Sequence, residues 1–361
     1  MNYVIRRNGK KTAYLQLYAY LKKDIMDGVY SFGTKLPSKR TLAAETGLSV
    51  IPVEHALELL CEEGYIESRE RSGYFVIYRE SDFFTAHETS IQASLPEQAV
   101  DKVNSVFSFS ALSKIMRKVL LDYGERILVK SPNKGCEELR RAISAYLARS
   151  SGIKVHPEQI VIGSGAEYLY SMLVQLLGKE RIFALESPSY EKIYRVYAAN
   201  SVKCDFLNLG SNGIQSEELE RTSATVLHVT PFNSFPSGIS ATAAKRQEYI
   251  RWAAQRNGYI IEDNYDSELT VSKKNDDTIF ASSKVERVIY LNTFSKTIAP
   301  SIRVGYMLIP TRMLKEFDDK LGFYSCTVPM FEQLVLTELL QSGDFERHIN
   351  RVRRQKRKQN L

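Results

Sequence analysis

The chain has 361 residues, 43% hydrophobic and 25% charged, which excludes a disordered protein and suffices for two or three domains. No run approaches the roughly eighteen apolar residues of a membrane span, and the opening MNYVIRRNGKKTAYLQ lacks the apolar core of a signal peptide, so a cytoplasmic protein is expected. The net charge of +7 is weak evidence for a nucleic-acid partner, because residues 344–361 carry seven basic against two acidic side chains and residues 1–80 only twelve against ten. Cys61, Cys136, Cys204 and Cys326 lie far apart and form no C-x-x-C pair, so neither disulfides nor a metal is expected.

From Tyr14 the apolar residues Tyr14, Leu17, Tyr18, Leu21 and Ile25 recur at helical spacing, and Gly28 follows as a stop. Ser38 can cap a short helix through Ala44, Gly47 makes a tight turn, and Ser49 can cap a third helix running to about Glu63. Pro52 falls in the first turn of that helix, where its missing N–H costs little. Gly64 breaks the pattern, and the β-prone pieces Tyr65–Glu67 and Tyr74–Val76 flank the polar RERSG at 69–73. Three helices and a hairpin make a winged helix-turn-helix over residues 1–78. In that motif the second of the paired helices enters the major groove while the first and the wing contact phosphate. Lys35, Lys39 and Arg40, at or before the first of the pair, and Arg69 and Arg71 on the wing are therefore candidate phosphate contacts.

Residues 79–105 have no sustained period and read as a linker, in which Phe83, Phe84 and Ile91 could dock on a neighbour. From 106 to 361 short apolar runs alternate with helical patterns. Strands are expected at Gln159–Gly163, Ile182–Glu186, Thr225–Val229, Tyr259–Glu262, Val288–Leu291 and Gly305–Ile309. Such alternation predicts a mostly parallel α/β sheet whose ligands sit beyond the carboxyl ends of the strands.

Those strand ends carry a particular set of groups. Thr293-Phe-Ser-Lys296 follows VIYLN, offering an amine and two hydroxyls, and Arg303 lies seven residues on as a bidentate anion donor. YIIED ends in Asp263, with Tyr265 two residues beyond. In GSGAEY, Gly163, Ser164, Gly165 and Ala166 open a helix, so backbone N–H groups form an anion cradle. ESPSY places Tyr190 after another strand, where its ring can stack on a planar ligand. Together they match the needs of pyridoxal phosphate: a lysine for covalent attachment, an acid that keeps the ring nitrogen protonated, and donors around phosphate.

The segment GTKLPSKRTLAAETGLSVIPVEHALELLCEEGYIESRERSGYFV resembles the DNA-binding domain of the GntR superfamily. The resemblance implies Arg40, Ser49 and the exposed face around Val50, Ile51, Glu54 and His55 at the DNA. GSGAEY, ESPSY, TPFNSFPSG, IIEDNYDSEL and NTFSKTIAPSIRVGYM resemble successive landmarks of fold-type-I aminotransferases, and specifically of the MocR subfamily of GntR regulators, which fuses this domain to a winged helix. That implies Lys296 as the Schiff-base lysine, Asp263 at the pyridine nitrogen, Tyr265 at the phenolic oxygen, Tyr190 stacking, and Ser164, Gly165, Ala166, Thr293 and Arg303 near phosphate. The chain departs from relatives at Val50-Ile51-Pro52, where they commonly carry Arg, Lys or Asn; at Asn233-Ser234, where they often have His-Gln; at Lys192, near the place of an effector-contacting Arg; and in ILVKSPNKG, which lacks a Tyr.

The resemblance also implies a small domain following a helix like DFERHINRVRRQKRKQ, whereas this sequence ends at Leu361. The domain over 106–361 is therefore expected to be incomplete, with its last helix partly uncovered and frayed around Ile349 and Val352. The function expected is a DNA-binding transcription regulator of the MocR type, a homodimer holding pyridoxal phosphate on Lys296 as an effector-sensing or structural ligand and open to an amine or amino-acid effector. Two alternatives stay open: an active aminotransferase, and a truncated regulator that binds DNA but holds cofactor poorly.

Overall fold

The computed structural model describes residues 3, 5, 12–79, 107–265, 267–269 and 277–359. They fall in two compact units, Met1–Pro96 and Glu97–Leu361. Of the segment read as a linker only Arg79 is described, so Phe83, Phe84 and Ile91 lie outside the described residues.

In the first unit, helices α1 (Ala13–Met26), α2 (Lys39–Thr46) and α3 (Val50–Glu62) precede an antiparallel pair, β1 (Ile66–Arg69) and β2 (Gly73–Val76). Leu17, Leu21 and Ile25 line one face of α1 at helical spacing and meet Leu42 of α2, Val53, Ala56, Leu57 and Leu60 of α3, and Ile66 and Val76 of the hairpin. Each fully buried leucine here contributes about 2 kcal/mol. Ser38 caps α2 by accepting from the Thr41 N–H at 3.1 Å, and Gly47 takes φ 67° to turn the chain between the paired helices. Ser49 occupies the corresponding position before α3, but its side chain makes no capping bond. Arg71 sits at the hairpin tip at φ 56°, and Lys35 forms an isolated antiparallel bridge with Phe75. This is the expected winged helix-turn-helix.

The second unit continues with α4 (Phe109–Tyr123), α5 (Glu137–Ser150), β3 (Ile160–Gly163), α6 (Ala166–Leu177), β4 (Phe183–Ser187) and α7 (Glu191–Ala199). Next come β5 (Cys204–Gly210), β6 (Gly213–Ile214), α8 (Ser216–Arg221), β7 (Val226–Val229), α9 (Ala243–Gln255) and β8 (Tyr259–Asp263). It closes with α10 (Ile279–Ser282), β9 (Val288–Thr293), β10 (Gly305–Leu308), α11 (Leu314–Leu321), α12 (Met330–Gln341) and α13 (Asp344–Gln359). The eight strands form one sheet in the order β3-β10-β9-β8-β7-β4-β5-β6. Strands β9, β8, β7, β4 and β5 run parallel. Strand β10 is antiparallel to both β9 and β3, which leaves β3 pointing with the majority.

Alternate residues of each strand face opposite layers, so both faces must be covered. Val161, Ile261, Ile289 and Met307 meet α6, α7 and α11. Ile160, Ile162, Tyr290 and Tyr306 meet α5, α12 and α13, while Leu227, Val229 and Ile260 meet α9. Six strands were expected from apolar runs. Strand β5 was not, because CDFLNLG is mostly half-exposed and carries Asp205 and Asn208, residues depleted in strands, and neither was the two-residue edge strand β6.

The last helix corrects another expectation. Instead of fraying, α13 is helical to Gln359 and buries Phe345, His348 and Ile349, with Val352 half-buried. It is held by Arg353, which donates to the Glu268 carbonyl at 2.6 Å, and Lys356, which donates to that of Leu269 at 3.2 Å. Among the described residues no helix is long and apolar enough to cross a membrane.

Candidate functional sites

The carboxyl ends of β3, β4, β7, β8 and β9 lie along one edge of the sheet, and the reversal of β10 brings its amino end, preceded by Arg303, to that same edge. A cleft of about 300 Å³ opens there. Lys296, Asp263, Tyr265, Tyr190, Ala166, Thr293 and Arg303 all line it; Ser164 and Gly165 occupy the turn behind, between β3 and α6.

Lys296 is exposed, with its Nζ 5.7 Å from the centre of the Tyr265 ring. The turn that presents it is tied to the residues leading into β10. Thr293 Oγ1 accepts from the Ser295 N–H and donates to the Val304 carbonyl, both at 3.2 Å, and Ser295 Oγ donates to the Ile302 carbonyl at 2.6 Å. The two hydroxyls thus serve the turn itself. Arg303 pairs with Glu167, whose other oxygen lies 3.8 Å from Lys192. Burial raises the Glu167 carboxyl, but its own backbone N–H, Arg303 and Lys192 outweigh that and leave it below the usual range. Gly165 takes φ 93°, and a Cβ there would stand 2.7 Å from the Arg303 guanidinium, so glycine lets that cation rest on the backbone.

Asp263 is buried at the end of β8. One carboxylate oxygen accepts from the Tyr170 hydroxyl and lies 3.5 Å from His228 Nε2; the other accepts from the Tyr265 N–H at 3.2 Å. The His228 contact is within ion-pair range, yet Nε2 has no aligned hydrogen-bond partner, while Nδ1 meets the Tyr197 hydroxyl at 2.7 Å. Burial and the adjacent Asp263 push the Tyr170 phenol well above its ordinary range, so it remains a donor. His228, Tyr170 and Tyr197 were not expected from the sequence. The available signal was a histidine inside the otherwise apolar strand VLHV.

Glu186 is a further unanticipated group, buried at the end of β4 and accepting from the Thr230 and Ser234 hydroxyls. It anchors the loop carrying Phe235, whose ring stands edge-on to Tyr190 at 5.9 Å. Burial pushes its carboxyl up to about 7 against the lowering effect of the two hydroxyls. An acid whose pKa is raised by folding takes up a proton in the folded state, so it costs stability as pH climbs from its unfolded value toward 7 and no further above that. Replacing Glu186 by Gln is expected to flatten part of the fall in melting temperature between pH 5 and pH 8. Parallel melting curves for the two proteins would remove this role from Glu186.

In the first unit Lys35 and Arg40 are exposed near the start of α2, and Arg71 is exposed at the wing tip. Lys39 pairs with one oxygen of Glu54 of α3, both side chains partly exposed, and sits 5.6 Å from the Tyr74 ring of the wing. Arg69 pairs with Glu67 at 2.7 Å and lies 4.4 Å over Phe75. Ser49 is exposed, Val50 and Ile51 are 42% and 64% exposed, and His55 lies edge-on to Tyr14 at 5.9 Å.

Residues 13–76 match the family of bacterial regulatory proteins, gntR family, and residues 108–361 match aminotransferase class I and II. The chain is 35% identical over 355 residues to the HTH-type transcriptional regulator YdeL of Bacillus subtilis (strain 168), covering 96% of this chain and 77% of that protein. It is 26% identical over 375 residues to the rhizopine catabolism regulatory protein MocR of Rhizobium meliloti, covering 97% and 76%. An archaeal alanine:glyoxylate aminotransferase superposes with a TM-score of 0.63 at 22% identity, a likeness of fold over 68% of this chain and 63% of that one. The chain thus spans less than two thirds of that enzyme's length.

Proposed function

We infer the function from a family premise: the chain belongs to the GntR family of bacterial regulatory proteins, among the MocR-type transcriptional regulators that carry an aminotransferase class I and II domain. On that premise we propose that the second unit holds pyridoxal phosphate on Lys296 as an effector-sensing or structural ligand. The observation that carries this reading is the meeting of Asp263, at the end of β8, with Lys296 and Arg303, from the turn between β9 and β10, in one cleft.

The residues fit the cofactor. A carboxylate buried among a tyrosine hydroxyl, a backbone N–H and an unaligned histidine nitrogen suits a protonated ring nitrogen, and the Gly165 turn at the start of α6 beside Arg303 suits a phosphate. When bound, pyridoxal phosphate supplies an electrophilic carbon that captures primary amines. Lys296 provides the attaching amine. Asp263 would hold the proton at the ring nitrogen, Tyr190 would stack on the ring, and Tyr265 would serve the phenolic oxygen. Ser164 and Ala166 would offer backbone N–H groups to the phosphate beside Gly165, whose own N–H donates to the Gly163 carbonyl at 2.9 Å; Thr293 would line that end, and Arg303, here paired with Glu167, would supply the cation.

In the first unit we assign Lys35, Lys39, Arg40, Arg69 and Arg71 to phosphates and Ser49, Val50, Glu54 and His55 to the groove. A homodimer working in the cytoplasm is part of the proposal, and an amine or amino acid is the effector class that the cofactor's chemistry selects. The exposure of Phe109, Leu121 and Leu128, each above 80%, supports a second copy covering that stretch.

The cofactor assignment is tested by loading the protein with pyridoxal phosphate, reducing it with borohydride and mapping the label by peptide mass. Label on the peptide containing Lys296 is expected, and label confined to other lysines would refute it. Arg40→Ala and Arg71→Asn, the latter chosen because asparagine tolerates the left-handed backbone, should each weaken DNA binding evenly across sequences. Each should also lower the salt slope by roughly one, as loss of a phosphate contact does. A changed sequence preference at an unchanged slope would contradict the phosphate role.

A further inference from the structure

We propose that the first turn of α3 reads thymine 5-methyl groups in the major groove through Val50 and Ile51. The inference rests on the DNA-binding reading and adds what the protein recognises there.

Helix α3 is the second of the paired helices, the one that enters the groove. The polar groups it offers to base edges are few: Glu54 shares its carboxylate with Lys39, and His55 packs edge-on against Tyr14. Pro52 has no N–H, and Val53 is fully buried. Ser49, Val50 and Ile51 stand exposed at the start of the helix.

The exposure of the last two has no counterpart in the fold's own needs. Val53, Ala56, Leu57 and Leu60 of the same helix are all at 0% exposure, whereas Val50 stands at 42% and Ile51 at 64%. Cations at the start of α2 and on the wing, Lys35, Arg40 and Arg71, make the unit's exposed surface complementary to a polyanion. Within a major groove the apolar feature of a base edge is the thymine methyl. Both side chains are β-branched and hold essentially one rotamer in a helix, so ordering them against a methyl group costs little entropy.

The test uses the full-length protein and two random-sequence duplex libraries, one made with thymidine and one with deoxyuridine, which lacks only the 5-methyl group. The tightest duplex selected from the thymidine library is then remade with deoxyuridine. Affinity is expected to fall about fourfold for each methyl covered. Ile51→Ala, an exposed change to a better helix former, should weaken binding to the thymidine duplex and shrink its preference over the deoxyuridine duplex toward one. Equal affinity for the two duplexes, or an equal loss on both in Ile51→Ala, overturns the proposal while leaving DNA binding intact. Enrichment from neither library overturns the DNA-binding reading with it.

Discussion

Replacing Lys296 by alanine is expected to abolish covalent capture of pyridoxal phosphate, taking borohydride-fixed label on the protein from one per chain to none. The lysine is exposed and its turn is held by bonds that involve Thr293, Ser295, Ile302 and Val304 rather than by its own side chain. Losing it therefore removes an amine without opening the core, and the stability of the cofactor-free protein should change by no more than about 0.5 kcal/mol. Reversible affinity through Asp263 and Arg303 should survive in part, visible as absorbance that dialysis removes. Covalent label retained at the wild-type level would end the assignment of Lys296.

The second large effect is expected at Asp263→Asn. Nearly isosteric, the amide can keep its oxygen on the Tyr265 N–H and turn its NH2 to the Tyr170 hydroxyl, which then accepts instead of donating, so the end of β8 should keep its shape. What it loses is the negative charge that holds a proton on the ring nitrogen. A hydrogen bond to a charged partner contributes about 1.5–3 kcal/mol, so cofactor affinity should drop on the order of ten- to a hundredfold, with an altered visible spectrum. Titration by absorbance measures both. An unchanged dissociation constant and spectrum would mean that this carboxylate serves Tyr170 and His228 alone.

Different physics governed what could be read from the sequence and what could not. The buried strands announced themselves because a strand covered on both faces is a continuous apolar run, as in IVIG and FALE. Lys296, Asp263, Tyr190 and Arg303 were legible because each sits in a short motif at a strand end, and the cleft does bring them together. The groups around Asp263 were hidden for the opposite reason. Tyr170 is 93 residues away and reads as an ordinary core aromatic, and the Tyr197 to His228 contact spans 31 residues. The pairing of Lys39 with Glu54 was equally invisible, since helical periodicity shows which side chains are exposed and not which opposite charges meet across two helices. The last helix was misjudged because its charge run advertises solvent, while Arg353 and Lys356 spend their donors on backbone carbonyls at the 267–269 turn.

The reversal of β10 has a mechanical corollary. Because β9 and β10 are adjacent and antiparallel, Lys296 and Arg303 belong to one hairpin, cross-tied at Phe294, Thr293 and Ser295 to residues 302–304. The span from attaching amine to anion clamp is therefore a caliper set within a dozen residues, insensitive to shifts elsewhere in the sheet. Tyr190 and Phe235 stand on other loops outside that frame, and Lys192 follows Tyr190 in the first turn of α7. Drift in those loops can retune which amine fits the cleft while the grip on the cofactor keeps its gauge.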